Sequence, residues 1–307
     1  MPRRRLATAT SDFGSGKRES HDSTSFYARF TAPVVSPDER VNPPAVVDEL
    51  FCADARTMAG SQVADRSVAL LVTSPPYFTG KEYETDMVAG HVPGTYLEYL
   101  EMLYDVLAIS LIKLEPGGRM AINVANLGRK PYRSLSADLI TILQDDLGML
   151  LRGEVIWQKA RGAGGSCAWG SYRSPQNPVL RDVTERIVIA SKGRFDRAMK
   201  RTDRERKGLP HEATIDTDEF LSSTIDVWEM PTASATRLGH PAPFPVELPR
   251  RLIELYTYKG DLVLDPFMGS GSTAVAAVES GRHYVGFDTE QSYVDLARER
   301  VAEVRSK

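Results

Sequence analysis

The chain has 307 residues, 42% hydrophobic and 26% charged, with a formal net charge of −3. That suits one large globular domain, alone or with a smaller lobe, and excludes disordered and fibrous classes. No apolar run reaches the roughly 18 residues that span a bilayer, and Pro2-Arg3-Arg4-Arg5 leads into no secretory signal, so a cytoplasmic protein with no membrane partner is expected. Cys52 and Cys167 offer no zinc-ligand spacing; neither a disulfide nor a bound metal is expected.

Residues 1–33 are rich in Ser, Thr, Arg and Gly without periodicity and read as a disordered tail. Residues 33–44 hold four prolines and read as a linker. A first strand over 46–51 leads to Asp54, an acidic residue at a strand end, where α/β sheets bind polar ligands. Val68-Ala69-Leu70-Leu71-Val72 is a short apolar run, read as a buried strand. It ends in Thr73-Ser74-Pro75-Pro76-Tyr77. The prolines fix φ and lack N–H donors, so their carbonyls cannot enter a continuing ladder. Ser74 adds a hydroxyl and Tyr77 a flat aromatic face. Fixed acceptors beside a stacking platform suit a planar group carrying an NH₂, such as a nucleobase.

Residues 78–94, with three glycines, read as a flap over that loop. Leu97, Leu100, Leu103, Leu107, Leu111 and Leu114 have helical spacing; Pro116-Gly117-Gly118 should stop that helix, and a strand should follow from Arg119 to Val124. A helix over 135–147 and a strand over 153–157 continue the alternation, which predicts a mostly parallel sheet with helices on both faces; 161–178 breaks it, and 183–190 reads as a strand again. Residues 161–178 hold four glycines, three serines and two prolines, with Trp169 and Tyr172 among Arg161 and Arg173. Such a loop can rest on nucleic acid. Residues 151–207 carry 14 Lys/Arg against 6 Asp/Glu, the signature of a phosphate-facing surface, with Arg197, Lys200 and Arg201 as candidate contacts. Residues 192–212 lack a wide apolar face and read as an insertion. An extended run over 224–228 precedes His240-Pro241-Ala242-Pro243-Phe244-Pro245 and a helix over 246–257.

Leu262-Val263-Leu264 reads as a strand opening into Asp265-Pro266-Phe267-Met268-Gly269-Ser270-Gly271-Ser272-Thr273 and a helix to about 279. The glycines permit a tight turn and close approach to a ligand. Ser272 or Thr273 is placed to cap the helix. The next strand, over 283–287, ends at Asp288, about 20 residues after the glycine loop, the spacing of ribose-binding carboxylates. A third fingerprint glycine and a P-loop Gly-Lys-Ser/Thr are both absent.

Ser74-Pro75-Pro76-Tyr77 resembles the catalytic loop of the amino-group DNA methyltransferases, and its serine form resembles their cytosine-N4 branch. Asp265-Pro266-Phe267-x-Gly269-x-Gly271 resembles the S-adenosylmethionine motif of the same family. The order, catalytic loop first and cofactor motif last, resembles the family's β group. The resemblance covers about 46–300, excepting roughly 160–235. It implies an α/β, Rossmann-like S-adenosylmethionine-dependent methyltransferase sheet over 34–160 and 236–307. Residues 161–235 would form an inserted target-recognition lobe, and 1–33 the tail. The implied activity is site-specific methyl transfer from S-adenosylmethionine to N4 of a flipped cytosine in double-stranded DNA, in the nucleoid. Ser74, Pro75, Pro76 and Tyr77 would meet the base. The cofactor set would be Asp54, Thr73, His240, Pro241, Phe244, Asp265, Phe267, Gly269, Gly271, Ser272, Thr273 and Asp288. A cognate restriction endonuclease and a homodimer are partners that the resemblance leaves open. The alternatives are adenine-N6 transfer, a protein or RNA substrate, and a DNA-binding module with a vestigial site.

Overall fold

The computed structural model describes residues 34–76, 78, 93–126, 132–159, 170–180, 182–232 and 244–306. Among them, strands β1 (Glu49–Cys52), β2 (Val68–Thr73), β3 (Leu114–Val124), β4 (Leu150–Gln158), β5 (Thr184–Ser191), β6 (Val227–Glu229), β7 (Leu262–Asp265) and β8 (His283–Asp288) build one sheet. Their spatial order is β1-β8-β7-β2-β3-β5-β4-β6. From β1 across to β3 every pairing is parallel. β5 runs antiparallel to both β3 and β4, and β6 parallel to β4. The sheet is therefore mixed rather than mostly parallel at that end.

The helices are α1 (Tyr96–Lys113), α2 (Leu135–Thr141, followed by a wide turn over Ile142–Asp146), α3 (Arg201–Arg206), α4 (Thr217–Ser223), α5 (Glu247–Tyr256), α6 (Ser272–Glu279) and α7 (Gln291–Arg305). α1 begins where Thr95 and Glu98 exchange hydrogen bonds in a capping box. Its leucine stripe is buried at Leu103 and Leu107, while Leu97 is exposed. β2 is buried along its whole length, and its two faces divide between two cores. Val68 and Leu71 pack with Leu103, Leu107, Leu135 and Leu139 of α1 and α2. Leu70 and Val72 pack with Leu248 and Leu252 of α5, Ala276 of α6 and Val294 and Ala297 of α7. A strand covered on both faces reads as an unbroken apolar run, and β2 does so for this reason.

Two expectations change. Pro116-Gly117-Gly118 does not separate α1 from the next strand; it lies inside β3, which starts at Leu114. Gly117 has φ +75°, and a Cβ there would lie 1.9 Å from the Asp196 carbonyl oxygen. The segment after β5 runs hard against it: the Gly117 amide donates to Lys192 O (2.9 Å) and the Ala198 amide to Pro116 O (3.0 Å). Second, 161–235 does not stand apart from the catalytic sheet. β5 lies between β3 and β4, and β6 pairs with β4 through Trp157 and Trp228, both fully buried. Pairing on both edges by an alternating Val/Ile strand makes β5 core, which its sequence alone left open.

α1 leaves β2 to one face of the sheet, and α6 leaves β7 to the other. The carboxyl ends of these adjacent strands therefore open into a crevice, where sheets of this kind take their ligands.

Candidate active site

Thr73 and Asp265 end β2 and β7 side by side. The Thr73 hydroxyl donates to Asp265 Oδ1 at 2.6 Å, and the Phe267 amide donates to the same oxygen at 3.2 Å. Asp265 is 2% exposed, and its Oδ2 has no hydrogen-bond partner among the described residues. Burial pushes its carboxyl up to about 6, against the Thr73 and Thr273 hydroxyls and the Phe267 amide beside it. One strand over, Asp288 accepts from the Gly269 amide on Oδ2 (2.9 Å) and from the Glu290 amide on Oδ1 (2.9 Å). Burial raises its carboxyl as well, and these amides oppose the shift.

The glycine loop turns between these two carboxylates. Gly271 sits at φ +77°, and a Cβ there would approach the Ala297 Cβ to 2.6 Å, so only glycine fits between α6 and α7. Ser272 and Thr273 do not cap α6; Gly271 is its N-cap, with no side-chain bond. Both side chains are buried, and their hydroxyls donate to Phe244 O (3.1 Å) and Val72 O (3.4 Å). They fix the shape of the loop. Arg300 braces it from α7, donating to the Ser270 carbonyl at 2.5 Å. Asp54 caps the turn Ala55–Thr57 and pairs with Arg56 at 2.6 Å. The Ala53 amide bonds Asp288 O (2.8 Å), which keeps that turn beside the end of β8.

Ser74, the next residue after Thr73, is half-buried, Pro75 buried and Pro76 half-buried. The Ser74 hydroxyl donates to Asn123 O at 3.1 Å, and Asn123 Nδ2 lies 3.4 Å from Ser74 Oγ. Asn123 Nδ2 also donates to Glu185 Oε2 at 2.5 Å, and Lys159 Nζ donates to Glu185 Oε1 at 2.9 Å. Asn123, Glu185 and Lys159 were absent from the sequence-based set. Their signal is faint: one polar residue inside the apolar run of β3, and one carboxylate before the Val/Ile run of β5. Phe78 then anchors the loop on α1, its ring 5.6 Å from that of Tyr99.

A family model described as DNA methylase matches residues 68–299. This chain belongs to that family. The methylase is 29% identical over 294 residues to the Type II methyltransferase M.BglI of Bacillus subtilis, covering 78% of this chain and 81% of that one. A DNA modification methylase of Thermus thermophilus, described as putative and solved with S-adenosyl-L-methionine, superposes with a TM-score of 0.65 at 28% identity, over 84% of this chain and 94% of that one. The PvuII cytosine-N4-specific DNA methyltransferase shares the fold, with a TM-score of 0.62 at 20% identity over 86% and 93% of the two chains.

The methylase's basic segment divides in two. Arg173, Lys200 and Arg201 are exposed, as a phosphate contact requires. Arg197 is not. Its side chain is 9% exposed and pairs with Glu115 at 2.5 Å and Asp261 at 3.0 Å. Arg204 pairs with the same two carboxylates, each at 3.2 Å. Glu115 and Asp261 lie at the amino ends of β3 and β7, the edge opposite Ser74. Arg197 is thus withdrawn from the DNA-facing set, because its charge is spent inside the protein. Tyr77, Arg161, His240 and Pro241 lie outside the described residues.

Proposed function

We propose that the chain methylates N4 of a cytosine at a specific site in duplex DNA. It is an S-adenosylmethionine-dependent DNA methyltransferase of the N6/N4 family; the choice of base and of site is our reading. The observation that carries it is the junction at the end of β2. Thr73 bonds the buried carboxylate of the cofactor motif, and the adjacent Ser74 opens a Ser-Pro-Pro-Tyr loop, the form of the cytosine-N4 branch.

The cofactor supplies an electrophilic methyl group on a sulfonium and carries an α-ammonium and ribose hydroxyls. The residues present suit those groups. Asp265 Oδ2 is a buried acceptor without a partner among the described residues, placed to take a cationic donor. Asp288 accepts one amide on each oxygen, and each oxygen retains a second lone pair for a ribose hydroxyl. The amine of cytosine is a poor nucleophile because its lone pair is delocalised into the ring. Acceptors at Ser74 Oγ and the Pro75 carbonyl would hold its N–H bonds and favour a more pyramidal nitrogen. The target base would leave the stack to reach them, with Tyr77 as the stacking surface. No covalent bond to the base is needed, so neither Cys52 nor Cys167 need be a nucleophile. DNA would be read by Arg173 and Arg161; Lys200 and Arg201 open α3 beside Glu115 and Asp261, at the edge opposite Ser74, and would stay off the DNA held there.

The product decides the reading. DNA methylated by the enzyme, digested and separated by mass spectrometry, should contain N4-methylcytosine. N6-methyladenine as the sole new nucleoside overturns the cytosine assignment and leaves the family untouched.

Asp265 predicts a pH dependence. Its folded value, about 6, lies above the ordinary 3.8. From this group the free protein is therefore more stable below pH 4, and that contribution is lost as pH rises through 6. A cationic cofactor pairs with the ionised form, so affinity should run the other way. Calorimetry should find S-adenosylmethionine bound about tenfold more weakly at pH 5 than at pH 7. Asp265→Asn should flatten that profile. A flat wild-type profile would remove Asp265 from cation binding.

A further inference from the structure

We infer that Glu185 and Lys159 are positioning residues for methyl transfer: through Asn123 they hold the Ser74 hydroxyl as a hydrogen-bond acceptor. This rests on the reading of Ser74 as the residue that meets the substrate amine, and it holds for either base. The antiparallel strand β5 makes the arrangement possible. Because β5 enters the sheet in reverse, its amino end lies beside the carboxyl ends of β3 and β4. Glu185 therefore arrives at the same edge as Ser74, between Asn123 and Lys159.

The chemistry of each group fixes the direction of the chain. A carboxylate beside an ammonium only accepts hydrogen bonds. The Glu185 carboxylate, 2.9 Å from Lys159 Nζ, therefore requires the NH₂ end of Asn123 to face it, at 2.5 Å. That same nitrogen lies 3.4 Å from Ser74 Oγ, so it is a second donor directed at the hydroxyl oxygen. The hydroxyl proton is directed at the Asn123 carbonyl, 3.1 Å away. Toward a substrate amine, Ser74 then presents an oxygen lone pair and not its proton. An amide is not a base, so Asn123 cannot take a proton from Ser74. Asn123 is 1% exposed and Glu185 9%, so the arrangement is shielded from competing water.

A swap that conserves charge and shape tests this. Asn123→Asp places two carboxylates together and should lower both melting temperature and turnover. Adding Glu185→Gln restores the net charge and a carboxylate–amide bond, with donor and acceptor exchanged. Melting temperature and S-adenosylmethionine affinity should return toward wild type, because packing and pairing are restored. Turnover should stay low, because the carboxylate introduced by Asn123→Asp has no N–H for Ser74 and draws the hydroxyl proton to itself. Turnover is read as labelled methyl transferred to DNA, whichever base receives it. If turnover recovers together with stability, the trio is only structural and the inference falls. Should the single Asn123→Asp variant not fold, Glu185→Gln alone still decides. It should lower kcat by on the order of ten- to a hundredfold, with cofactor and DNA affinities unchanged. Unchanged kcat there overturns the proposal. A wild type that transfers no methyl group to DNA fails at the earlier step, the function itself, and takes this inference with it.

Discussion

Ser74→Ala should reduce turnover by on the order of 10²-fold or more, the usual cost of removing one preorganised hydrogen-bonding group from a reacting centre. S-adenosylmethionine affinity should not change. The cofactor residues, Asp265, Asp288 and the glycine loop, are held by Thr73, by main-chain amides and by Arg300, and none of these bonds passes through Ser74. The fold should not change either. Alanine removes one oxygen from a half-buried position, and the two prolines that set the loop remain. The effect should lie in kcat, because an interaction that strengthens as the amine nitrogen becomes nucleophilic acts on the transition state more than on the bound substrate. Single-turnover kinetics with saturating DNA and cofactor separate the cases. A variant with full kcat would remove Ser74 from the chemistry and leave the Pro75 carbonyl as the acceptor. A variant that loses cofactor affinity in step with turnover would make Ser74 part of the cofactor site instead.

Much of this site is legible in the sequence because it is local. Ser74, Pro75 and Pro76 follow a strand that announces itself by an unbroken apolar run, and the motif from Asp265 to Gly271 follows another. Prolines and glycines restrict or free the backbone within a few residues, so their meaning does not depend on distant contacts. What escaped the sequence is what only pairing creates. Asn123, Glu185 and Lys159 are ordinary polar residues until β5 runs antiparallel beside β3 and β4. α7 escaped for another reason. Its buried Val294, Ala297 and Val301 are small and lie among charged residues, a thin stripe that faces α6 and β1. The glycines of 116–118 misled because a breaker is read as a stop. Here Gly117 admits the passing chain at Asp196 and the strand continues. Ser272 and Thr273 misled in the same way: hydroxyls at the start of a helix suggest caps, yet burial turns both inward to carbonyls of neighbouring elements.

Counting charges misled for Arg197, and there the expected effect is large. Arg197→Ala should destabilise the protein by roughly 3–5 kcal/mol, the range for removing one partner of a buried ion pair. Its guanidinium donates to Glu115 Oε1 (2.5 Å), to Asp261 Oδ2 (3.0 Å) and to the Tyr256 carbonyl (3.1 Å). Burial opposes its charge, and Asp261 and Glu115 outweigh that, so its pKa is raised rather than lowered. Without it, Glu115 and Asp261, 1% and 4% exposed, share Arg204 as their ion-pair partner among the described residues, and Asp261 keeps the Tyr258 amide. That remaining arginine should hold the loss near the lower end of the range. For a chain of this size, the melting temperature should fall by about 5 °C. Arg197→Lys should recover only part of it, since one ammonium cannot span two carboxylates and a carbonyl as the planar fork does. Arg173→Glu should do the opposite. Its side chain is exposed, so the melting temperature should hold while DNA affinity falls and its dependence on salt becomes shallower, as fewer counterions are released. Thermal denaturation and DNA titration at two salt concentrations, made on the same three proteins, separate the roles. If Arg197→Ala melts like the wild type and binds DNA weakly, Arg197 belongs on the DNA surface after all.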